Sequence, residues 1–292
     1  MAARDGRYGT FAEYLRRIAM GFSYCLNTST IRNEGVSVVD AIDIAADAGY
    51  EGIEPWVAEI DEWVAGGGSL FEIRDKAADR GIQIVNLIAF FEWSVPEDEE
   101  RAKGLEEAHR CFEMADALNC TYVAAPPFGI RDRDVDLFSV ARRYGELMDE
   151  VAGFQAKPLL EFWGIAQTLG TLGEALLVAA ECGRPNTVLL ADVYHMYKGS
   201  GHFHGLEHLG PGKLGLVHVN DYPASPGRDT ITDADRVYPG DGLAPWSEIV
   251  AGFENAGYEG MLSLELFNPS YWAKGSVAVA EEGLAKLKAC VE

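Results

Sequence analysis

The chain has 292 residues, of which 48% are hydrophobic, and a formal net charge of -22. That is enough apolar material for one large core, and the charge repels polyanions, which argues against nucleic acid or an anionic membrane as a partner. The five cysteines, at 25, 111, 120, 182 and 290, form no C-x-x-C pair, which argues against a disulfide framework or a zinc ribbon.

From the N-terminus, residues 1–20 carry Arg4, Arg7, Arg16 and Arg17 but lack the apolar core of a signal peptide. Thr10-Phe11-Ala12-Glu13 reads as a capped short helix. No later stretch is apolar for long enough to span a bilayer. The expectation is a soluble cytoplasmic protein with no membrane partner, in which residues 1–19 form a short helical extension.

Strand-like runs then alternate with helical spacing along the chain. The strand-like runs are 20–26, 51–54, 82–87, 121–125, 158–161, 188–192, 214–219 and 261–266. Helical patterns fill 36–48, 70–80, 97–118, 135–154, 172–182, 205–209, 245–256 and 276–291, and Gly49, Gly81 and Gly183 stand at helix ends. Strict alternation requires parallel strands joined by crossovers, and eight such units predict an α/β fold, a (β/α)8 TIM barrel. No linker divides the chain, so residues 1–292 read as a single domain. Two strand-to-helix loops, 193–203 and 220–245, are long; in such a barrel they lie on the C-terminal face, and the second has the makings of a lid.

Four apolar runs in the second half end in metal-capable side chains: Pro158-Leu159-Leu160-Glu161, Val188-Leu189-Leu190-Ala191-Asp192, Leu214-Gly215-Leu216-Val217-His218 and Met261-Leu262-Ser263-Leu264-Glu265. A buried parallel strand is an apolar run, so a charged group where the run stops belongs to the barrel's rim. On neighbouring strands Glu161, Asp192, His218 and Glu265 would surround one divalent metal ion. Mn²⁺ suits this oxygen-rich set best, and Mg²⁺, Co²⁺ and Zn²⁺ are compatible with it. His195 offers either a fifth ligand or, the preferred reading, a donor to a substrate oxygen. Glu54, ending the second strand, would orient a ligand or contact substrate. Trp163 is the leading candidate for stacking on a ring, and Arg236, ahead of Pro239-Gly240-Asp241-Gly242, would reach substrate hydroxyls from the long loop. Lys198 reads as solvated. The G-x-S-x-G and G-x-G-x-x-G motifs are not found where hydrolase or Rossmann chemistry would need them.

In Leu160-Glu161-Phe162-Trp163, Asp192-Val193-Tyr194-His195-Met196, His218-Val219-Asn220-Asp221 and Leu264-Glu265-Leu266 the sequence resembles the sugar phosphate isomerase/epimerase superfamily, with its xylose isomerase-like TIM barrel, in the ketose 3-epimerase and inosose isomerase branch. The resemblance covers nearly the whole chain. It implies one Mn²⁺-type ion held by Glu161, Asp192, His218 and Glu265, proton transfer by Glu161 and Glu265, and substrate contacts from His195 and Arg236. The segment 221–235 between the metal histidine and Arg236 departs from the ketose epimerase pattern.

The chemistry that follows is divalent-metal-dependent isomerisation or epimerisation of a sugar or cyclitol through a metal-stabilised enediolate, with two glutamates as acid and base. The alternative is a metal-dependent lyase, a dehydratase or β-eliminating enzyme acting on an inosose or 3-keto-glycoside. The expected partner is a small sugar or cyclitol. Homo-oligomer formation is compatible with the fold class, with no residue here specifying its order.

Overall fold

The computed structural model describes residues 21–33 and 35–291. The expected 1–19 extension and its capped turn lie outside the described residues. The elements in chain order are β1 (Ser23–Asn27), α1 (Val38–Ala48), β2 (Gly52–Glu54), α2 (Val57–Ala65), α3 (Leu70–Arg80), β3 (Gln83–Ile84), β4 (Asn86–Leu87) and α4 (Asp98–Ala117). The second half continues with β5 (Tyr122–Ala125), α5 (Leu137–Glu150), β6 (Lys157–Glu161), α6 (Leu172–Glu181), β7 (Val188–Asp192), α7 (Val193–Ser200), β8 (Leu214–Val219), α8 (Trp246–Asn255), β9 (Met261–Leu264), α9 (Pro269–Trp272) and α10 (Ser276–Val291).

All strand pairs are parallel, in the order β3-β2-β1-β9-β8-β7-β6-β5-β4. The two ends of this order, β3 and β4, are halves of one segment. Gln83 and Ile84 pair with β2, while Asn86 and Leu87 pair with β5. The expected third strand, 82–87, is therefore present but divided at Val85, and it closes the ring. The architecture is the expected α/β TIM barrel, folded as one domain.

Strand parity decides what faces the barrel interior. Side chains two residues apart share a face. Cys25, Val85, Ala124, Leu159, Leu190 and Leu216 meet inside the ring as a small apolar plug. The intervening residues, such as Leu26, Leu160, Leu189 and Val217, pack outward in the larger core that includes the helices. Two residues beyond four of the plug positions stand Asn27, Glu161, Asp192 and His218, so these side chains share the inner face, one layer nearer the C-terminal rim.

Several helices begin and end where the sequence says they should. Ser37 and Asp40 form a reciprocal capping box at the start of α1, and Gly49, at φ 96°, closes it in the left-handed region. Three helices were not expected: α2, α7 and the four-residue α9, which Asn268 caps by accepting from the Ser270 backbone N–H. α2 precedes α3 where only one helical run was read. Helix α7 replaces the long loop expected at 193–203, because the Asp192 side chain accepts from the His195 backbone N–H and caps it, while Gly201 at φ 75° ends it. Among the described residues no helix is long and apolar enough to cross a membrane.

Candidate metal centre and the cavity above it

Parallel register brings the strand ends together. Asp192 stands beside His218, and His218 beside Ser263, two residues before Glu265. Asp192 and His218 are fully buried, and Glu265 and Glu161 nearly so. Asp192, His218 and Glu265 each offer one ligand atom within 4.8 Å of the others. His218 Nδ1 lies 3.2 Å from Glu265 Oε2 and 3.7 Å from Asp192 Oδ2. Yet it makes no hydrogen bond to either oxygen. A buried imidazole nitrogen aimed between two carboxylates, at spacings near the edges of a tetrahedron or octahedron with bonds of about 2.1 Å, fits a divalent cation. Zn²⁺, Mn²⁺ and similar ions satisfy this donor set. Glu161 lies outside the triad and lines the cavity above it.

The other face of His218 fixes its tautomer. Nε2 lies 3.1 Å from the carboxylate of Glu54, which also accepts from Asn86 Nδ2 at 2.8 Å and from Ser263 Oγ. When the ring is neutral, a proton kept on Nε2 by Glu54 would leave the Nδ1 lone pair facing Asp192 and Glu265. Glu54 is fully buried and does not line the cavity. Of its two expected roles, orienting a ligand or contacting substrate, its surroundings suit the first: it lies against His218 and not among the residues that line the cavity.

Charge is concentrated here. Burial works against the imidazolium of His218, but Glu265, Glu54 and Asp192 outweigh it and raise its pKa well above the usual range. Burial likewise opposes the Asp192 carboxylate, but Arg236, His195 and His218 hold its pKa well down. Glu161 behaves oppositely. Burial pushes it up to about 8, His218 eases the shift, and Glu265, Asp192 and Glu54 add to it. His195, buried at the end of the same cavity, has its pKa lowered chiefly by burial, and its Nδ1 has no hydrogen-bond partner.

Arg236 reaches the site from the long loop, as expected, but its present contacts are the carboxylates themselves. Nη1 donates to Glu265 Oε2 at 2.7 Å and to Asp192 Oδ2 at 3.0 Å, and Nη2 pairs with Asp233. Its guanidinium lies 4.3 Å from the Tyr194 ring centroid and 5.1 Å from that of Phe267. It is about 1% exposed, and still lines the cavity with one edge.

Two charged groups hold the loop that carries Arg236. Asp221 is fully buried, and its Oδ1 accepts from the N–H groups of Tyr222 and Ala244, its Oδ2 from Gly240 N–H and Trp246 Nε1. Backbone bonds of 2.9 Å in both directions join Asp221 to Val237, next to Arg236. Gly242 must be glycine for this: a Cβ there would sit 2.2 Å from Asp221 Oδ1. At the other end Lys198 is not solvated. Its Nζ donates to the carbonyls of Arg228, Asp229 and Ile231 at 2.9–3.1 Å. An anion spent on four N–H groups and a cation spent on three carbonyls make the 220–245 loop a bound platform.

Above the triad opens a cavity of about 250 Å³, close to the lower bound for small-molecule sites. Glu161, His195, Asp233, Arg236 and Glu265 form its polar side, and Trp163 lies on its wall. Sequence reasoning missed Asn27, whose Nδ2 donates to Glu265 Oε1 at 3.1 Å, and Asn220, whose Nδ2 donates to Asp192 Oδ1 at 3.2 Å. Asn27 was within reach of the same rule that picked out the four rim residues, since it ends an apolar strand.

The chain is 30% identical over 166 residues to an inosose isomerase of Halalkalibacterium halodurans, covering 55% of this chain and 58% of that protein. It thus spans little more than half of that relative's length. An inosose isomerase of Bacillus velezensis is 24% identical over 268 residues, covering 88% of this chain and 94% of that one. A 3-dehydroshikimate dehydratase of Pseudomonas aeruginosa is 26% identical over 260 residues, 85% of this chain and 39% of the larger protein. Among solved structures, an IolI protein with a bound zinc atom superposes with a TM-score of 0.85 at 21% identity, over 92% of this chain and 98% of that one. Residues 42–290 match the model of the xylose isomerase-like TIM barrel, and by that match the chain belongs to this family.

Proposed function

We propose that the protein is a divalent-cation-dependent isomerase or epimerase that moves a proton on the carbon next to a carbonyl of a sugar or cyclitol. The observation that carries this is the placing of three buried ligands, Asp192, His218 and Glu265, directly under a cavity lined by Glu161 and His195. Asp192, His218 and Glu265 would hold the ion, with Glu161 as a fourth ligand from the cavity wall. Mn²⁺ fits this oxygen-rich set best. When bound, such an ion polarises a carbonyl oxygen and stabilises the negative charge of an enediolate.

The chain's own groups do the rest. Glu265 and Glu161 belong to strands on either side of the Asp192–His218 pair, so they flank whatever lies over it. Glu265, in ion-pair contact with Arg236, suits the base that removes the proton. Glu161, on the other side of the pair and at the cavity wall, suits the acid: the burial that raises its pKa in the ion-free chain favours its taking up the proton that it then returns. His195 is neutral and donates to a substrate oxygen; Arg236 and Trp163 orient the ring. Glu54 keeps His218 aimed. Delivery by two different carboxyls inverts the carbon, and return to the adjacent carbon isomerises the compound.

A second reading, elimination, is favoured by the likeness to a protein named as a 3-dehydroshikimate dehydratase. There a protonated Glu161 would assist a leaving hydroxyl or alkoxide. The test for both is a panel of ketoses, inososes and 3-keto-glycosides incubated in D₂O with Mn²⁺-loaded protein. Deuterium in an isomeric product supports isomerisation or epimerisation. Release of water or an alcohol identifies elimination, and a panel without any exchange contradicts both.

A further inference from the structure

We infer that the natural substrate is amphipathic, a hydroxylated carbonyl-bearing ring joined to a planar apolar group such as an aryl ring, rather than a free sugar or cyclitol. The cavity has two kinds of lining. Its polar groups come from the ends of β6 and β9, from α7 and from the 220–245 loop. Beside them runs an arc of rings that meets the polar groups at both ends, Phe267 lying 5.1 Å from the Arg236 guanidinium and Trp163 following Glu161 by two residues. Phe267 lies 6.0 Å from Trp56, Trp56 lies 5.3 Å from Phe90, and Phe90 lies 6.1 Å from Trp163, centroid to centroid.

The arc continues past the mouth. Phe90 touches Phe128 at 5.6 Å between centroids, and Phe90, Phe128 and Ile165 are 36%, 38% and 39% exposed. Large apolar side chains left open to water beside a cavity mark a surface that something apolar covers. The continuity of this rim with the inner arc identifies the occupant as part of the same ligand.

A free cyclitol or hexose carries hydroxyls around its whole edge. Those turned to the polar side find Glu161, His195, Asp233 and Arg236. Those turned to the arc exchange water for carbon, and the indole N–H of Trp56 is already donated to Asn27 Oδ1 at 3.1 Å. A polyol ring can lay a C–H face on Trp163, but hydroxyls that reach Trp56, Phe90 and Phe267 meet carbon, whereas an aryl substituent there finds offset and edge-on rings. Two cations border the arc: Arg131 is half exposed and paired with Asp132, and the Arg32 guanidinium lies 4.6 Å from the Trp56 ring centroid.

This rests on the proposed function only for which half of the ligand enters the polar side. The test is calorimetric titration of the Mn²⁺-loaded full chain with phenyl β-D-glucopyranoside, methyl β-D-glucopyranoside and phenol, probes that do not react. The expected result is a Kd for the phenyl glucoside roughly tenfold or more below those of both other probes, the order of gain that ring contacts and burial supply. Phe90→Ala, at a partly exposed position whose loss spares the core, should remove most of that advantage. Equal affinity for phenyl and methyl glucosides, or phenol binding as well as the phenyl glucoside, overturns the inference. Deuterium uptake by phenyl 3-keto-β-D-glucopyranoside and by an inosose on the same preparation separates the two failures. Uptake without aryl preference overturns the substrate class alone, and aryl preference without uptake overturns the proposed chemistry alone.

Discussion

Glu54 and His218 face each other across the barrel axis, from β2 and β8, with the His218 Nε2 3.1 Å from both carboxylate oxygens of Glu54. Glu54 is thereby tied to the metal centre without touching the cavity. Replacing it by glutamine removes the charge that fixes the imidazole's tautomer. Glu54→Gln should weaken divalent-ion binding by about 10- to 100-fold, the usual cost of losing such an outer partner, as measured by competition with a chelating dye. Unchanged affinity would show that His218 does not depend on it.

Ion binding should release protons. Glu161, with a pKa near 8, is largely protonated at pH 7, and His218 is held protonated above its usual range. Both must lose protons to act as ligands, so apparent affinity for Mn²⁺ should rise with pH from neutrality through about 8. Titrations in two buffers of different ionisation enthalpy at pH 7 should give different apparent heats. The ion-free protein shows the reverse trend for Glu161. A carboxyl whose pKa is raised on folding contributes most stability below about 4.5, and that contribution is lost as pH rises through about 8.

Arg236 neutralises Asp192 and Glu265 from a position about 1% exposed. Arg236→Met leaves two buried carboxylates short of a partner, and the ion-free protein should lose about 3–5 kcal/mol in urea unfolding. Mn²⁺ should then raise the unfolding midpoint more in the variant than in the parent. An equal increment in both would indicate that the guanidinium and the ion do not share these carboxylates.

Asp221 accepts four hydrogen bonds, all from N–H groups of the loop that delivers Arg236 or the helix start beyond it. An asparagine NH₂ would confront one of those donors. Asp221→Asn should cost about 2 kcal/mol or more of stability. It should also open the 230–245 amides to hydrogen exchange while α4 keeps its protection. Exchange unchanged in that segment would contradict the loop's dependence on Asp221.

The barrel was legible because eight apolar runs, each with a helical pattern behind it, leave few ways to close a parallel sheet. The rim residues were legible for a related reason: a charge that ends an apolar run can only lie where the core stops. Asn27 escaped notice because an amide carries no charge to mark it, although it holds the same inner-face position. The roles of Glu54, Arg236 and Lys198 were harder to read. Each depends on contacts with residues 29–164 positions away in the chain, and spacing within one segment carries no trace of them. The helix at 193–200 was missed because Asp192 was read for its charge alone, when it also caps α7.

The central claim is that Glu161 and Glu265 move protons over the Asp192–His218–Glu265 centre. The most direct measurement is solvent deuterium incorporation next to the carbonyl of phenyl 3-keto-β-D-glucopyranoside, comparing the parent with Glu161→Gln and Glu265→Gln, each with Mn²⁺ occupancy verified by elemental analysis. The account predicts exchange by the parent and a loss of about 100-fold or more in both variants at full occupancy. Exchange at the parent's rate in both variants with the ion bound would contradict it.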